Sequence, residues 1–394
     1  MTSTLAGVRI LDLTRMLAGP YGTLLLADMG AEVIKIEDPG AGDPIRAMGP
    51  PFLEEESAYF MAINRNKRSV TLDLRSDQGR ELFFELVEVS DVVIDNFRVG
   101  VTSRLGIEHA ACAARKPDII TCSITAFGED GPYRDLPAFD LILQAMGGGM
   151  SITGEPGRPP VRMGIPIGDL AGGMFGAFAV CAALYHRTAT GAGQHLDIGL
   201  LDVQVSLLTY VAQYHWADGR VPGPIGSGHQ SVVPYQVFET ADRPLVVAVF
   251  IDRHWPPFCR ALGLDEFAER YPRNVDRLAA RETLIPVIAE RFRGGTVEDW
   301  IEALRREGVP CGPVNTVDRV LTDPQVLHRG MVAESSRPHP VAGSHHLLGN
   351  PVKNGEPDVF DPSPVLGEHD EEILVGLLGH SHDELEAWRR DGIV

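Results

Sequence analysis

Over its first half the chain alternates between short apolar runs and longer stretches with helical spacing. Residues 8–13 (VRILDL) and 32–37 (EVIKIE) have the length and β-branched content of strands, with a loop at 14–20 and an apolar helix at about 21–29 between them. Strand, loop, helix and strand in immediate succession predict a parallel βαβ unit. The pattern then repeats. A helix predicted over 76–89 carries Leu82, Phe83, Leu86 and Val87 on one face, and further strands are predicted at 92–96, 119–124 and 194–198. The segment 128–137 reads as a loop, a helix opens at Asp140 and runs to about 146, and the triple glycine 147–149 ends it. The run 170–185 is interrupted by glycines and shorter than the ~20 residues that cross a bilayer, so it reads as a buried core helix. Residues 200–216 read as another long apolar helix.

The texture changes near residue 218. The stretch 221–230 (VPGPIGSGHQ) is rich in glycine and proline, as linkers and mobile lids are. Strands at 235–240 and 245–250 then predict a hairpin, helices are predicted at 254–262, 274–293 and 296–307, and 308–314 (GVPCGPV) reads as a rigid turn. Thr296 with Asp299 and Ser381 with Glu384 stand in capping-box order.

At 394 residues the chain exceeds one hydrophobic core, and 44% hydrophobic with 23% charged content excludes extended disorder. A formal charge of −19 opposes attraction to nucleic acid or to an anionic membrane, so an anionic ligand needs a local basic pocket. The cluster NRNKR at 64–68 has solvated surface as its plain reading, but in so acidic a chain it is the best candidate for gripping phosphates. Five widely spaced cysteines give neither a metal spacing nor a disulfide framework, which fits a reducing cytoplasm, and the N-terminus lacks an export signal. No metal site is expected. The loop at 15–20 has no Gly-x-Gly-x-x-Gly, which disfavours a dinucleotide.

Candidate chemistry concentrates at 161–176 (VRMGIPIGDLAGGMFG), where an apolar run delivers Asp169 to a helix expected to begin near Gly173. Unpaired N–H groups and the helix dipole there would keep the carboxylate ionised, as a nucleophile must be. Gly168, Gly172 and Gly173 would let a substrate press on the backbone and offer N–H donors to an oxyanion. The competing reading is a plain helix cap. Ligands of open α/β sheets bind beyond the carboxyl ends of the strands, which nominates Asn96, Phe97, Arg98 and Arg104, against the alternative that Phe97 is core and the arginines are surface.

Seven ordered motifs together resemble the class III coenzyme A transferase family, which includes formyl-CoA transferase and is related to the α-methylacyl-CoA racemases. They are LDLTRMLAGP at 11–20, GAEVIKIEDPGAGDPIR at 30–46, NRNKRSVTLDL at 64–74, DNFRVG at 95–100, GDLAGG at 168–173, GVPCGPV at 308–314 and LGEH at 366–369. The resemblance implies a Rossmann-like large domain from residues 1–217 and 326–394, a small α+β domain from 218–325, and an interlocked homodimer. It implies an enzyme that moves coenzyme A from an acyl-CoA to a small carboxylic acid, with Asp169 as nucleophile through an aspartyl anhydride and an aspartyl-CoA thioester, and no cofactor beyond coenzyme A itself. Its coenzyme contacts fall on Arg15, Met16, Leu17, Ala18, Leu72, Asp73, Leu74, Arg75, Asn96, Phe97, Arg98, Arg104, Ala138, Phe139 and Asp140. The loop around Gly226 to Gly228 resembles the family's flexible cover. Three positions depart from formyl-CoA transferase: Asp38 replaces an arginine, so one phosphate or adenine contact is expected to be replaced or missing, while Leu17 replaces a glutamine and Phe139 a tyrosine, and these two losses favour a larger or less polar acyl group. A racemase is the alternative, although Phe139 stands where racemases carry a proton-transferring histidine, and a noncatalytic acyl-CoA-binding protein is the other.

Overall fold

The computed structural model describes residues 3–353 and 359–394; residues 1–2 and 354–358, which the expected large domain takes in, lie outside the described residues. The chain divides into two compact units, Met1–Gly149 with Arg162–Asp218 and Gln325–Val394, and Met150–Val161 with Gly219–Pro324. The segment Met150–Val161 was expected in the large domain and instead groups with the second unit. Its anchor there is local: Gly154 O accepts the N–H of Gly226 at 2.8 Å.

The first unit is built on six strands, β1 (Arg9–Asp12), β2 (Glu32–Glu37), β3 (Lys67–Thr71), β4 (Val92–Asp95), β5 (Ile120–Thr125) and β6 (His195–Gly199). They run parallel in the order β3-β2-β1-β4-β5-β6, the doubly wound arrangement in which the connections reverse beside β1. Both faces of the central strands are covered, which is why β1, β2 and β4 carry apolar residues at successive positions. Ile10, Val33 and Ile94 enter one core with Ala27 and Val180, while Leu11, Ile34 and Val93 enter another with Leu82, Phe83 and the C-terminal Ile373 and Trp388. Edge strand β3 is covered by the chain end, where the Asp370 Oδ1 accepts the Thr71 N–H at 2.8 Å and His369 Nδ1 the Ser69 N–H at 3.2 Å.

The helices that frame the site are α1 (Ala18–Asp28), α2 (Ala58–Ile63), α3 (Asp77–Glu88), α4 (Asp140–Met146), α5 (Ile167–Thr190), α6 (Leu200–Ser206) and α7 (Thr209–Asp218). Two differ from expectation. α5 starts at Ile167 rather than near Gly173 and runs 24 residues, long and apolar enough to cross a membrane by length and composition. It is not the buried core helix expected: Gly172, Gly173, Gly176, Val180 and Ala183 are buried, whereas Phe178 and Tyr185 are 71% and 80% exposed. The expected single helix over 200–216 breaks between α6 and α7, where Thr209 takes φ +42°.

The second unit holds the antiparallel sheet β7 (Tyr235–Phe238), β8 (Leu245–Ala248) and β9 (Cys311–Pro313), in the order β9-β8-β7. The segment expected as a turn at 308–314 thus supplies a strand. Its core gathers Phe238, Val247, Trp255, Phe258, Phe292 and Leu304. The helix expected over 274–293 divides into Asn274–Ala279 and Arg281–Phe292, and the capping boxes at Thr296 and Ser381 both form.

Candidate active site

The loop from β1 to α1 hangs on buried charge. Asp12, at the end of β1, accepts from the Thr14 N–H at 2.9 Å, from Thr23 Oγ1 at 2.7 Å and from Lys67 Nζ at 3.0 Å. Lys35 Nζ donates to Thr14 O at 2.7 Å and pairs with Asp43 Oδ2 at 3.0 Å, and Asp43 Oδ1 receives the Met16 N–H at 3.1 Å. Met16 is thereby held at φ +66°, a left-handed conformation that costs a side-chain-bearing residue energy. Burial would raise the Asp12 carboxyl, but Lys67, Lys35 and the two threonine hydroxyls overcome it and hold it at about 2. Burial and Lys35 in turn bring Lys67 down to about 8 against the pull of Asp12.

This pairing corrects the phosphate-gripping expectation for residues 64–68. Arg65 is buried on Asp28 at 2.6 Å, Lys67 on Asp12, and Arg68 pairs with Glu372 at 2.7 Å. These cations fasten the chain to itself. Each partner lies far away in sequence, which no local pattern discloses.

Beyond the carboxyl ends of β1, β4 and β5 open two cavities that share Met16, Asn96, Phe97 and Arg98. One, of about 400 Å³, is walled by Leu17, Ala18, Arg104, Ala138, Phe139 and Asp169 as well. The other, of about 440 Å³, adds Arg15 and Leu72, Asp73, Leu74 and Arg75. The expected coenzyme residues therefore converge on one end of the sheet, with the exception of Asp140, which lines neither cavity. Asn96 clamps the Arg15 backbone, its Oδ1 accepting the N–H at 2.8 Å and its Nδ2 donating to the carbonyl at 2.7 Å. Phe97 packs on the core edge with the Arg15 guanidinium 5.1 Å from its ring centre. Arg75 is exposed and pairs with Asp73 at 2.6 Å and with Asp38 at 3.2 Å, so the Asp38 departure from the family pattern has a partner.

Asp169 lies in the first turn of α5, in the wall of the first cavity. Contrary to the sequence expectation, its surroundings do not favour the ionised form. Burial, reinforced by the charge of Asp140, pushes its carboxyl up to about 7. The N-terminus of α5 is already occupied: Asp140 Oδ1 accepts the Gly168 N–H at 2.8 Å and the Asp169 N–H at 3.3 Å, and Gln144 Nε2 donates to Asp140 Oδ2 at 2.5 Å.

The glycines also serve otherwise than expected. The Gly168 N–H is spent on Asp140, and Gly172 and Gly173 lie inside the helix. Their missing side chains permit packing. A Cβ on Gly173 would sit 2.4 Å from Ala18 O and 2.9 Å from Gly22 N, and one on Gly172 would sit 2.1 Å from Leu200 Cδ2. α1 can therefore pass against α5, and Ala18 at its N-terminus lines the same cavity as Asp169. Leu17 gives α1 no side-chain cap, and among the described residues the Ala18 N–H has no partner.

Two residues escaped the sequence reading. Tyr59 on α2 packs with Leu17 and Leu170, and burial, Asp169, Asp43 and Asp140 together push its hydroxyl up to about 12, which keeps it a proton donor beside the carboxylates. Arg134, in the 128–137 loop, lines the first cavity with Arg98 and Arg104. A tyrosine in a short apolar helix carries no distinguishing signal; a cation in a glycine-proline loop facing a strand end did carry one.

Comparison with known proteins bears on this arrangement. The family model described as CoA-transferase family III matches residues 5–370. The succinyl-CoA:glutarate CoA-transferase of Mus musculus is 38% identical, covering 99% of this chain and 90% of its own length. The formyl-CoA:oxalate CoA-transferase of Streptomyces avermitilis is 32% identical with both chains fully covered. Among solved structures, a CAIB/BAIF family protein from Brucella suis superposes with a TM-score of 0.85 at 37% identity, over 96% of this chain and 100% of that one. The chain belongs to CoA-transferase family III and is an acyl-CoA:carboxylate CoA-transferase.

Proposed function

We propose that the enzyme exchanges coenzyme A between short dicarboxylic acids, with Asp169 as the covalent carrier. The observation that carries this reading is a carboxylate set into the wall of a cavity that Ala18, whose N–H has no partner among the described residues, and the arginines 98, 104 and 134 also line. Asp169 attacks the thioester carbonyl, the tetrahedral oxyanion draws the Ala18 N–H, and the C–S bond breaks to leave an aspartyl anhydride and coenzyme A thiolate. The thiolate then attacks the aspartyl carbonyl, releasing the donor acid and leaving an aspartyl-CoA thioester. The acceptor carboxylate reverses both steps and leaves as the new acyl-CoA, with Asp169 restored. The coenzyme lies along Arg15, Leu72 to Arg75, Asn96 to Arg98 and Arg104, whose guanidinium groups counter phosphate in a chain of charge −19.

Relatives named for succinate with glutarate, and for succinyl-CoA with mesaconate, share 38–39% of residues with this chain, which supports dicarboxylates as substrates. Phe139, 67% exposed at the cavity, fits an acid with an apolar middle better than oxalate. Two further parts of the reading are an interlocked homodimer, supported by the exposed apolar residues Met174, Phe175, Phe178 and Tyr185 along α5, and a reducing cytoplasm, supported by five free thiols.

The test is a matrix of acyl-CoA donors against acids in deuterated buffer. Succinyl-CoA with glutarate or mesaconate is expected to exchange coenzyme A without deuterium entering the α-carbon. Deuterium uptake without exchange would instead establish a racemase.

A further inference from the structure

Asp140 was placed with the coenzyme contacts, and its geometry gives it another part. Its carboxylate is buried, lines neither cavity and reaches across from α4 to the N-terminus of α5, where it accepts the Gly168 and Asp169 N–H groups at 2.8 and 3.3 Å. Gln144, one turn along α4, fixes its other oxygen at 2.5 Å and is itself fixed by the Met163 N–H on its Oε1 at 2.9 Å. Gln204 of α6, 4% exposed, brings an Nε2 without a partner to the same spot. There is no room there for a side chain on residue 168: a Cβ would lie 2.3 Å from Gln204 Nε2 and 2.9 Å from Asp140 Oδ1.

A helix N-terminus ordinarily favours a carboxylate in its first turn. Here that benefit goes to Asp140, and Asp169 meets a like charge instead. We propose that Asp140 is a positioning residue for the transfer reaction: from α4 it locks the backbone of the nucleophile, and its negative charge makes Asp169 a stronger base and a more reactive nucleophile than a capped, dipole-stabilised carboxylate would be. The inference rests on Asp169 being the covalent carrier.

The other groups around Asp169 leave this role to Asp140. α2 presents Tyr59, held as a neutral donor. The loop after β4 and the 128–137 loop present Arg98, Arg104 and Arg134 to the cavity, on the side where coenzyme phosphates are expected. α1, β5 and α6 contribute Ala18, Ile124 and Leu200. The remaining acids on β6 and α6 are turned elsewhere, Asp197 to the Glu129 N–H at 2.9 Å and Asp202 toward Gly199.

Asp140→Asn keeps an oxygen for the cap and removes the charge, whereas Asp140→Glu keeps the charge. The readout is the pH profile of kcat/KM for exchange between succinyl-CoA and glutarate. Wild type is expected to lose activity as pH falls through about 7, where Asp169 becomes protonated. In Asp140→Asn that limb is expected to move down by about a pH unit and the plateau to fall about tenfold, because a less basic carboxylate attacks more slowly. Asp140→Glu is expected to leave the limb in place. A lower plateau with an unmoved limb in Asp140→Asn would reduce Asp140 to a structural cap and overturn the proposal. If that variant does not fold, wild type can still overturn the proposal: an acidic limb near 4 would show that neither burial nor a like charge raises Asp169. An acyl adduct on Asp169 in Asp140→Asn, read by mass spectrometry, separates the two failures, since its absence in wild type as well would sink the nucleophile assignment itself.

Discussion

Asp12 and Asp169 are both drawn largely out of water within one unit, and their surroundings treat them in opposite ways. Asp12 meets Lys67 and Lys35 and two hydroxyls, and is held at about 2. Asp169 meets burial and the charge of Asp140, and is pushed up to about 7. The first arrangement spends buried charge on fixing the β1–α1 loop, including the strained Met16 and the N-terminus of α1. The second leaves one carboxylate without compensation, the environment expected of the nucleophile proposed above. The difference teaches which buried acid to regard as machinery: the one whose neighbours leave it poorly satisfied.

The contrast is broken most severely by removing the reactive member. Asp169→Ala is expected to lower exchange by roughly 10⁴-fold or more, with a melting temperature at neutral pH no lower than wild type, checked by steady-state assay and thermal unfolding. Removing a partner on the other side should do the reverse. Lys67→Met strands Asp12 without a counter-charge and is expected to cost about 3–5 kcal/mol in urea unfolding, with Asp12→Asn in the same chain restoring part of it.

A smaller effect tests the cationic rim. Arg104→Ala is expected to raise KM for acyl-CoA about tenfold with kcat nearly unchanged, an effect that shrinks with added salt. The smallest concerns stability and pH. Asp169 has a raised value in the folded chain, so its contribution is complete below the ordinary aspartate range and is lost as pH rises through about 7. Asp12, held low, behaves oppositely: its contribution is present above that range and lost as pH falls toward about 2. Asp169→Asn is therefore expected to gain a few degrees in melting temperature over wild type at pH 8.5, about half of that at pH 5.5, and nothing below the ordinary aspartate range.

The parallel sheet was legible because a strand covered on both faces carries apolar residues at successive positions, as Ile10 and Leu11 show by entering different cores. That Asp169 lines a cavity was legible from its being a lone acid in an apolar, glycine-rich stretch. What stayed hidden is non-local. That Lys67 answers Asp12, that Arg68 answers Glu372, and that Asp140 caps a helix 28 residues on are facts of tertiary pairing. The start of α5 was misplaced for the same reason, since Pro166 offers no cap of its own and the cap arrives from α4. Glycines at 172 and 173 suggested substrate access, and only the passage of α1 and Leu200 showed that they make room for packing.

The most direct test is to look for the covalent carrier. Enzyme turning over succinyl-CoA and glutarate, quenched in acid and digested, should yield the peptide containing Asp169 carrying coenzyme A or an acyl group, and hydroxylamine should convert that residue to a hydroxamate. Active turnover with an unmodified Asp169, or with the adduct on another side chain, would contradict the assignment.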